Sequence, residues 1–310
     1  MEVTPFGARV LRLLVPDRNG LKADVIVGYG TLQEYFDCPG ERFFGAAIGR
    51  VANRLGGASF CLDGKDYKTA RNDNGNTLHG GFKGFDRVLW TVKSVSQSSI
   101  TFSLLDPDGQ EGWPGNLQVE MKYELTPANE FIVSYKATTD RPTLCNLTHH
   151  SFFNLTGDSS IPITDHVLHI NADSYLPVDA KLIPTGQVRN VEGTPFDFRE
   201  AKPIGRDIES AGGYDHNWCL SGEGLRVVAS LYEPESGRHL EVLTDQPGLQ
   251  FYSGNFFDGS YYGKGGRSIG YRCALALETQ KWPDAVHHEG FPNTVLRKGE
   301  TYTHTCIYKF

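Results

Sequence analysis

The sequence predicts an all-β protein, a large antiparallel β-sandwich with few short helices. Three observations carry this expectation: several segments alternate apolar and polar residues with a period of two, these segments come in pairs joined by short turn-forming stretches, and the 35 glycines and 16 prolines fall largely between them. Along the chain, Thr31 to Phe36 reads as a short helix capped by Thr31, with Glu34 in its first turns. Val88 to Val95 and Ile100 to Leu104 form a first strand pair. From Leu117 to Leu125 the alternation is complete, with Leu117, Val119, Met121, Tyr123 and Leu125 on one face and Gln118, Glu120, Lys122 and Glu124 on the other. Thr126 to Glu130 is a turn, after which Phe131, Val133, Tyr135 and Ala137 resume the period and complete a hairpin. Leu225 to Tyr232 and His239 to Leu243 make another. Ala274-Leu275-Ala276-Leu277 reads as a buried strand that delivers Glu278 off its end, with Trp282-Pro283-Asp284 supplying an aromatic plate and a turn beside it. With no repeat, low-complexity tract or linker, residues 1–310 are expected to form a single domain.

Composition excludes several functional classes. The net charge is −7, the pI is about 5.8, and no basic stripe exists, which argues against a nucleic-acid partner. Charged residues interrupt Met1 to Gly20, so that stretch does not read as a signal peptide, and no apolar run approaches a membrane span. The six cysteines lack regular spacing, and Cys145 and Cys219 sit in apolar runs. They read as free thiols in a reducing compartment, hence a cytoplasmic location. Asn146-Leu147-Thr148 and Asn154-Leu155-Thr156 are then chance sequons. A monomer or weak homodimer is expected.

Two connections hold unusual residues: Asn76 to Phe82, with His79 before Gly80-Gly81, and Asn146 to Leu155. The glycine pair would let a ligand approach the backbone closely, although a loop histidine is the simpler alternative. His149 and His150 are adjacent, so on a strand only one can face a given site. His150, among aromatics, is expected to titrate near neutrality. Tyr214 to Trp218 packs Asp215, His216 and Asn217 between aromatics, or is a turn with a self-capping aspartate. The chain has no HxH, HExxH or Cys/His quartet for a metal, no G-x-S-x-G elbow, and no phosphate loop with strand and helix flanks. Acid/base chemistry by a carboxylate and an imidazole, with no metal and no cofactor, is the class that survives.

Taken together, ordered motifs along nearly the whole chain resemble the aldose 1-epimerases, or galactose mutarotases. They include Ile48-Gly49-Arg50-Val51-Ala52-Asn53-Arg54, Leu78-His79-Gly80-Gly81, His150-Ser151-Phe152-Phe153-Asn154-Leu155, Ser174-Tyr175-Leu176-Pro177-Val178-Asp179, Tyr214-Asp215-His216-Asn217, Gln250-Phe251-Tyr252-Ser253-Gly254-Asn255-Phe256 and Leu277-Glu278-Thr279-Gln280-Lys281-Trp282-Pro283-Asp284. The resemblance implies a galactose mutarotase-like supersandwich whose open groove interconverts the α and β anomers of a free hexose such as galactose or glucose without cofactor. It implies Glu278 as general base, His150 as general acid and His79 as a second imidazole near the ring oxygen. Asn53, Arg54, Asp215 and Gln250 are implied to hold sugar hydroxyls, with Ser151 and Phe152 beside them. His149 stands where the family often has asparagine, and family members usually carry a further strand or two before the region matching Phe6-Gly7-Ala8. Shielding by Leu277 and Trp282 is expected to raise the Glu278 pKa toward the working range. A rival within the fold, an epimerase for a phosphorylated sugar, would need more cations than Arg54 alone. A non-catalytic sugar-binding module would have lost Glu278 or His150.

Overall fold

The computed structural model describes residues 1–310. Nine strands form the larger sheet, in the spatial order Thr91–Val95, Ser99–Asp106, Leu117–Leu125, Glu130–Thr139, Tyr302–Lys309, His239–Thr244, Arg226–Tyr232, Val167–Ile170 and Lys202–Pro203. Seven form the smaller: Arg189–Asn190, Ser174–Leu176, Asp215–Cys219, Gly248–Tyr252, Leu275–Gln280, Phe152–Phe153 and Ile26–Val27. Every pairing in both sheets is antiparallel. The hairpin at the centre of the larger sheet has unbroken register from Leu117↔Thr139 to Leu125↔Phe131. Its alternation does what the pattern requires: Leu117, Val119, Met121 and Tyr123 are wholly buried while Gln118 is exposed.

The core lies between the sheets. Val119, Met121, Phe131 and Val133 of the larger sheet belong to one apolar cluster with Leu249, Phe251, Leu275 and Leu277 of the smaller. Each such side chain contributes about 1.5–3 kcal/mol by leaving water. Because side chains alternate, burying Leu249, Phe251, Leu275 and Leu277 inward turns Gln250, Tyr252, Ala276 and Glu278 to the opposite face. That face is partly covered by a second aromatic cluster containing Phe44, Phe152, Tyr252 and Phe257.

The expected helix spans Leu32–Asp37. Thr31 accepts from the Glu34 amide at 3.3 Å, and Glu34 accepts from the Thr31 amide at 2.8 Å, a reciprocal cap. Three expectations are corrected. The strand expected over Val88 to Val95 is confined to Thr91–Val95, since Phe85–Arg87 forms a 3₁₀ turn and Trp90 is buried, bonded to the Phe85 carbonyl. Asn146 to Leu155 is not a loop but contains the strands Thr148–His150 and Phe152–Phe153. Glu278 does not leave the end of its strand; Leu275–Gln280 continues past it, so the carboxylate projects from mid-strand. All six cysteines are free, four of them buried, and no helix is long and apolar enough to cross a membrane.

Candidate active site

The outward face of the smaller sheet places the functional side chains by register. Gln250 lies directly opposite Glu278, and Asp215 opposite Tyr252, which in turn faces Ala276. Gln250 Nε2 donates to Asp215 Oδ1 at 2.7 Å, tying neighbouring strands together across the diagonal. Tyr214 to Trp218 is therefore not a turn: Asp215–Cys219 is a strand, and His216 packs against Phe196 while Asp215 faces the site.

His150 enters from above. The strand Thr148–His150 pairs with Ala46–Ile48, and Thr148 Oγ1 donates to the Thr279 carbonyl at 2.8 Å, which docks it on the strand of Glu278. The alternation expected for adjacent histidines is realised. His149 points into the core, bonded to Tyr123 Oη (3.1 Å) and Ser151 Oγ (2.6 Å). His150 points to the cavity and brings Nε2 to 3.4 Å from Glu278 Oε1. Phe152 and Phe43 pack on its ring at 4.7 and 5.7 Å.

The third component comes from a small ribbon, Arg54–Leu55 against Thr77–Leu78. At its end the chain exchanges hydrogen bonds: the His79 amide donates to the Asn53 carbonyl (2.9 Å), and the Asn53 amide donates to His79 Nδ1 (3.1 Å). Both residues have left-handed backbones, φ 59° at Asn53 and 49° at His79. Such strain persists only where the surroundings enforce it. The amide hydrogen makes Nδ1 an acceptor, so the neutral His79 ring carries its own hydrogen on Nε2. The glycine pair after it serves a different purpose from the one expected. At Gly80, φ is 90° and an added Cβ would lie 1.9 Å from the Gly49 carbonyl oxygen, so the close approach is by backbone, not by ligand.

Arg54 spans two carboxylates, Asp73 (2.8 Å) and Asp215 (3.5 Å). Glu41, Phe43, Asn53, Arg54, His79, His150, Phe152, Asp215, Tyr252, Phe256 and Glu278 thus line one cavity, joined by Leu78. Of the residues singled out from sequence, Ser151 and Gln250 are not in that lining; they hold His149 and Asp215 from behind. Glu41, Phe43, Tyr252 and Phe256 were missed. Tyr252 and Phe256 fall inside a motif already noted, whereas Glu41 and Phe43 lie in a loop with no chemical signature. A roomier groove of about 320 Å³, bordered by Leu14, Phe131 and Phe310 and by the charged Asp17, Arg18, Glu130 and Arg238, lies elsewhere.

Burial dominates the electrostatics. It raises the Glu278 carboxyl well above the ordinary carboxylate range, and the charges of Asp215 and Glu41 add to it. Leu277 and Trp282 are not the cause, contrary to expectation: Leu277 faces the core, and Trp282 packs on Phe291 and bonds the Pro247 carbonyl. Burial also pushes His150 down to about 3 and His79 well below its usual value. His150 is therefore not poised near neutrality by itself. The 3.4 Å contact makes the two groups a pair that holds one proton, resting on the carboxyl in the unliganded site. His150 Nδ1 and Glu278 Oε2, on residues that line the cavity, are buried without protein partners, a cost that hydroxyl groups of a ligand would relieve.

His79, His150 and Glu278 place ligating atoms within 4.8 Å of one another. Two histidines and a carboxylate suit a metal ion in type. The hydrogen bond to His79 Nδ1 opposes that use, because it keeps the hydrogen on Nε2, where a ligand needs a lone pair. The arrangement is better suited to moving protons.

An antiparallel sandwich with a one-proton carboxylate–imidazole pair, set in a hollow lined by aromatic and polar side chains, defines a class of protein suited to acid/base chemistry on small polar molecules. Sequence and structure comparisons specify which. The family model described as aldose 1-epimerase matches residues 1–309. Galactose mutarotase from Homo sapiens is 46% identical over 313 residues, covering all of this chain and 90% of the human protein. Aldose 1-epimerase from Escherichia coli K12 is 36% identical, covering 98% of this chain and 90% of its own. Among solved structures, a GalM/aldose epimerase homologue from C. elegans superposes with a TM-score of 0.93 at 31% identity, covering 99% of this chain and 94% of the other. Galactose 1-epimerase from Lactobacillus acidophilus gives 0.85 at 29%, covering 99% and 89%. The chain belongs to the aldose 1-epimerase family.

Proposed function

We propose that this protein is an aldose 1-epimerase, an isomerase that interconverts the α and β anomers of free hexoses such as galactose and glucose, with Glu278 and His150 as its proton carriers. The observation that supports those roles is their 3.4 Å separation inside the cavity. Mutarotation removes a proton from the anomeric hydroxyl and adds one to the ring oxygen. Those two oxygens are bonded to the same carbon, so base and acid must be close neighbours.

In the reactive form the pair is Glu278 carboxylate and His150 imidazolium. Sugar hydroxyls donating to Glu278 favour its charged form, which shifts the shared proton to His150. Glu278 takes the O1 proton, the C1–O5 bond breaks as C1=O1 forms, and His150 protonates O5. The aldehyde then rotates about C1–C2. His150 recovers the O5 proton as O5 attacks the other face of C1, and Glu278 returns its proton to O1. The pair starts and ends with one proton, and each half-reaction swaps which partner holds it.

His79, with hydrogen on Nε2, donates toward the ring-oxygen side. Asn53, Arg54 and Asp215 orient the hydroxyls, with Phe152, Tyr252 and Phe256 against the carbon faces. Gln250 acts by holding Asp215, and Ser151 by fixing His149 beneath His150. The free thiols support a reducing, cytoplasmic setting, and a monomer or weak homodimer accords with a cavity formed within one chain. The test is polarimetry on freshly dissolved α-galactose and α-glucose: the protein accelerates the approach to the equilibrium rotation, and a rate equal to the spontaneous one overturns the reading.

A further inference from the structure

We propose that Glu41 is a specificity-determining carboxylate that selects aldoses by charge, admitting neutral and ammonium-bearing sugars and turning away those with an anionic exocyclic group. This rests on the sugar-binding role of the cavity argued above.

Glu41 lines the sugar cavity together with Asp215 and Glu278. It also lines an adjoining cavity of about 420 Å³, shared through Phe43 and Phe256 and bordered by Asp258. It therefore stands at the junction between the two, and a substituent that projects from the sugar into the second cavity passes it. Its position is held. Oε1 accepts from the Phe43 amide at 2.7 Å, and the Glu41 carbonyl accepts from Tyr29 Oη at 2.9 Å. The Arg42 backbone amide also favours the charged form of the carboxylate.

Nearby cations do not cancel it. Arg42, next in sequence, lines the second cavity too but is committed to Asp86, which it clamps at 2.6 and 2.8 Å. Buried Arg9, whose charge also reaches Glu41, is committed to the Phe44 and Asp86 carbonyls. Arg54 already serves Asp73 and Asp215. With the shared proton resting on Glu278 and Asp215 paired with Arg54, Glu41 is the carboxylate of the hollow that no cationic side chain bonds. Burial raises Glu41 to about 7, so it is charged at mildly alkaline pH. The like charge of a uronate or a sugar phosphate is repelled there, and an ammonium group is attracted.

The experiment compares kcat/KM for galacturonate and for its neutral, isosteric amide at pH 8, in wild type and in Glu41→Gln. The amide is expected to exceed the acid by about tenfold or more in wild type, and the ratio to shrink at least about threefold in the variant. A wild-type ratio near one, or a ratio unchanged by the substitution, overturns the proposal. If the variant does not fold, wild type decides on 6-amino-6-deoxygalactose, cationic at this pH. Faster processing than of the uronamide supports the proposal, and equal or slower processing refutes it. Wild-type turnover of galactose reports on the mutarotase reading separately, so the two failures are distinguishable.

Discussion

Glu278→Gln is the sharpest test of the proton-transfer site. The substitution keeps shape and one acceptor oxygen but removes the ability to take a proton from the anomeric hydroxyl. A positioned general base contributes roughly 10² to 10⁴ in rate, which at about 1.36 kcal/mol per tenfold is a barrier increase of about 2.7–5.4 kcal/mol. The upper half of that range is expected, because His150 is left with no partner with which to share its proton. Stability should move the other way. The Glu278 carboxyl is raised in the folded state, so between the ordinary carboxylate value and its folded value the native protein holds a proton that the unfolded chain has released. Native stability then falls as pH rises through that window. Glutamine removes this penalty, so the variant should gain stability relative to wild type as pH increases above about 4.5. Polarimetry on α-galactose gives the rate, and urea unfolding at pH 5 and pH 8 gives the stability. A folded variant within about tenfold of wild type in rate would refute the assignment of Glu278 as base.

His150→Gln should cost a similar roughly 10² to 10⁴ in kcat, and the double variant with Glu278→Gln no more than the worse single one, since the two act as a unit; additive losses in polarimetry would contradict a shared proton. Arg54→Lys loses the fork that spans Asp73 and Asp215 and should raise KM for galactose about tenfold with a smaller change in kcat; an unchanged KM would remove Arg54 from substrate orientation. Gly80→Ala forces a Cβ against the Gly49 carbonyl at φ 90° and should lower unfolding free energy by about 2 kcal/mol or more in urea titration; a wild-type midpoint would show that this contact gives way easily. Burial lowers His149 and His150 to about 3 and His166 and His304 to about 4. Below pH 6.5 the unfolded chain binds protons that these four folded imidazoles refuse, so they lower stability as pH falls, each by up to about 1.4 kcal/mol per pH unit. Together they outweigh the opposite contributions of the two raised carboxyls, Glu278 and Glu41. Equal urea midpoints at pH 7 and pH 5 would contradict this.

Sequence by itself determined the all-β class, the central hairpin and many of the residues that line the cavity. The period-two pattern of Leu117 to Ala137 permits one face to be buried and no other, so the central hairpin and its register follow from local residues alone. The Thr31 cap with Glu34 is equally local. Adjacent His149 and His150 had to diverge on a strand, and they do. What periodicity could not convey is which segments meet across the sandwich. Asn146 to Leu155 breaks its alternation to change from one strand to another, and so reads as a loop, although its two short strands are what lower His150 onto Glu278. Glu41 and Phe43 have no motif, and only the folding of their loop over the smaller sheet brings them to the cavity. The protonation states were decided the same way. An imidazole among aromatics reads as neutral-poised in sequence, but pKa depends on how much water remains around the group and which charges lie beside it. Those are properties of side chains distant in the chain, here Asp215 and Glu41 acting on Glu278, and only tertiary packing sets them.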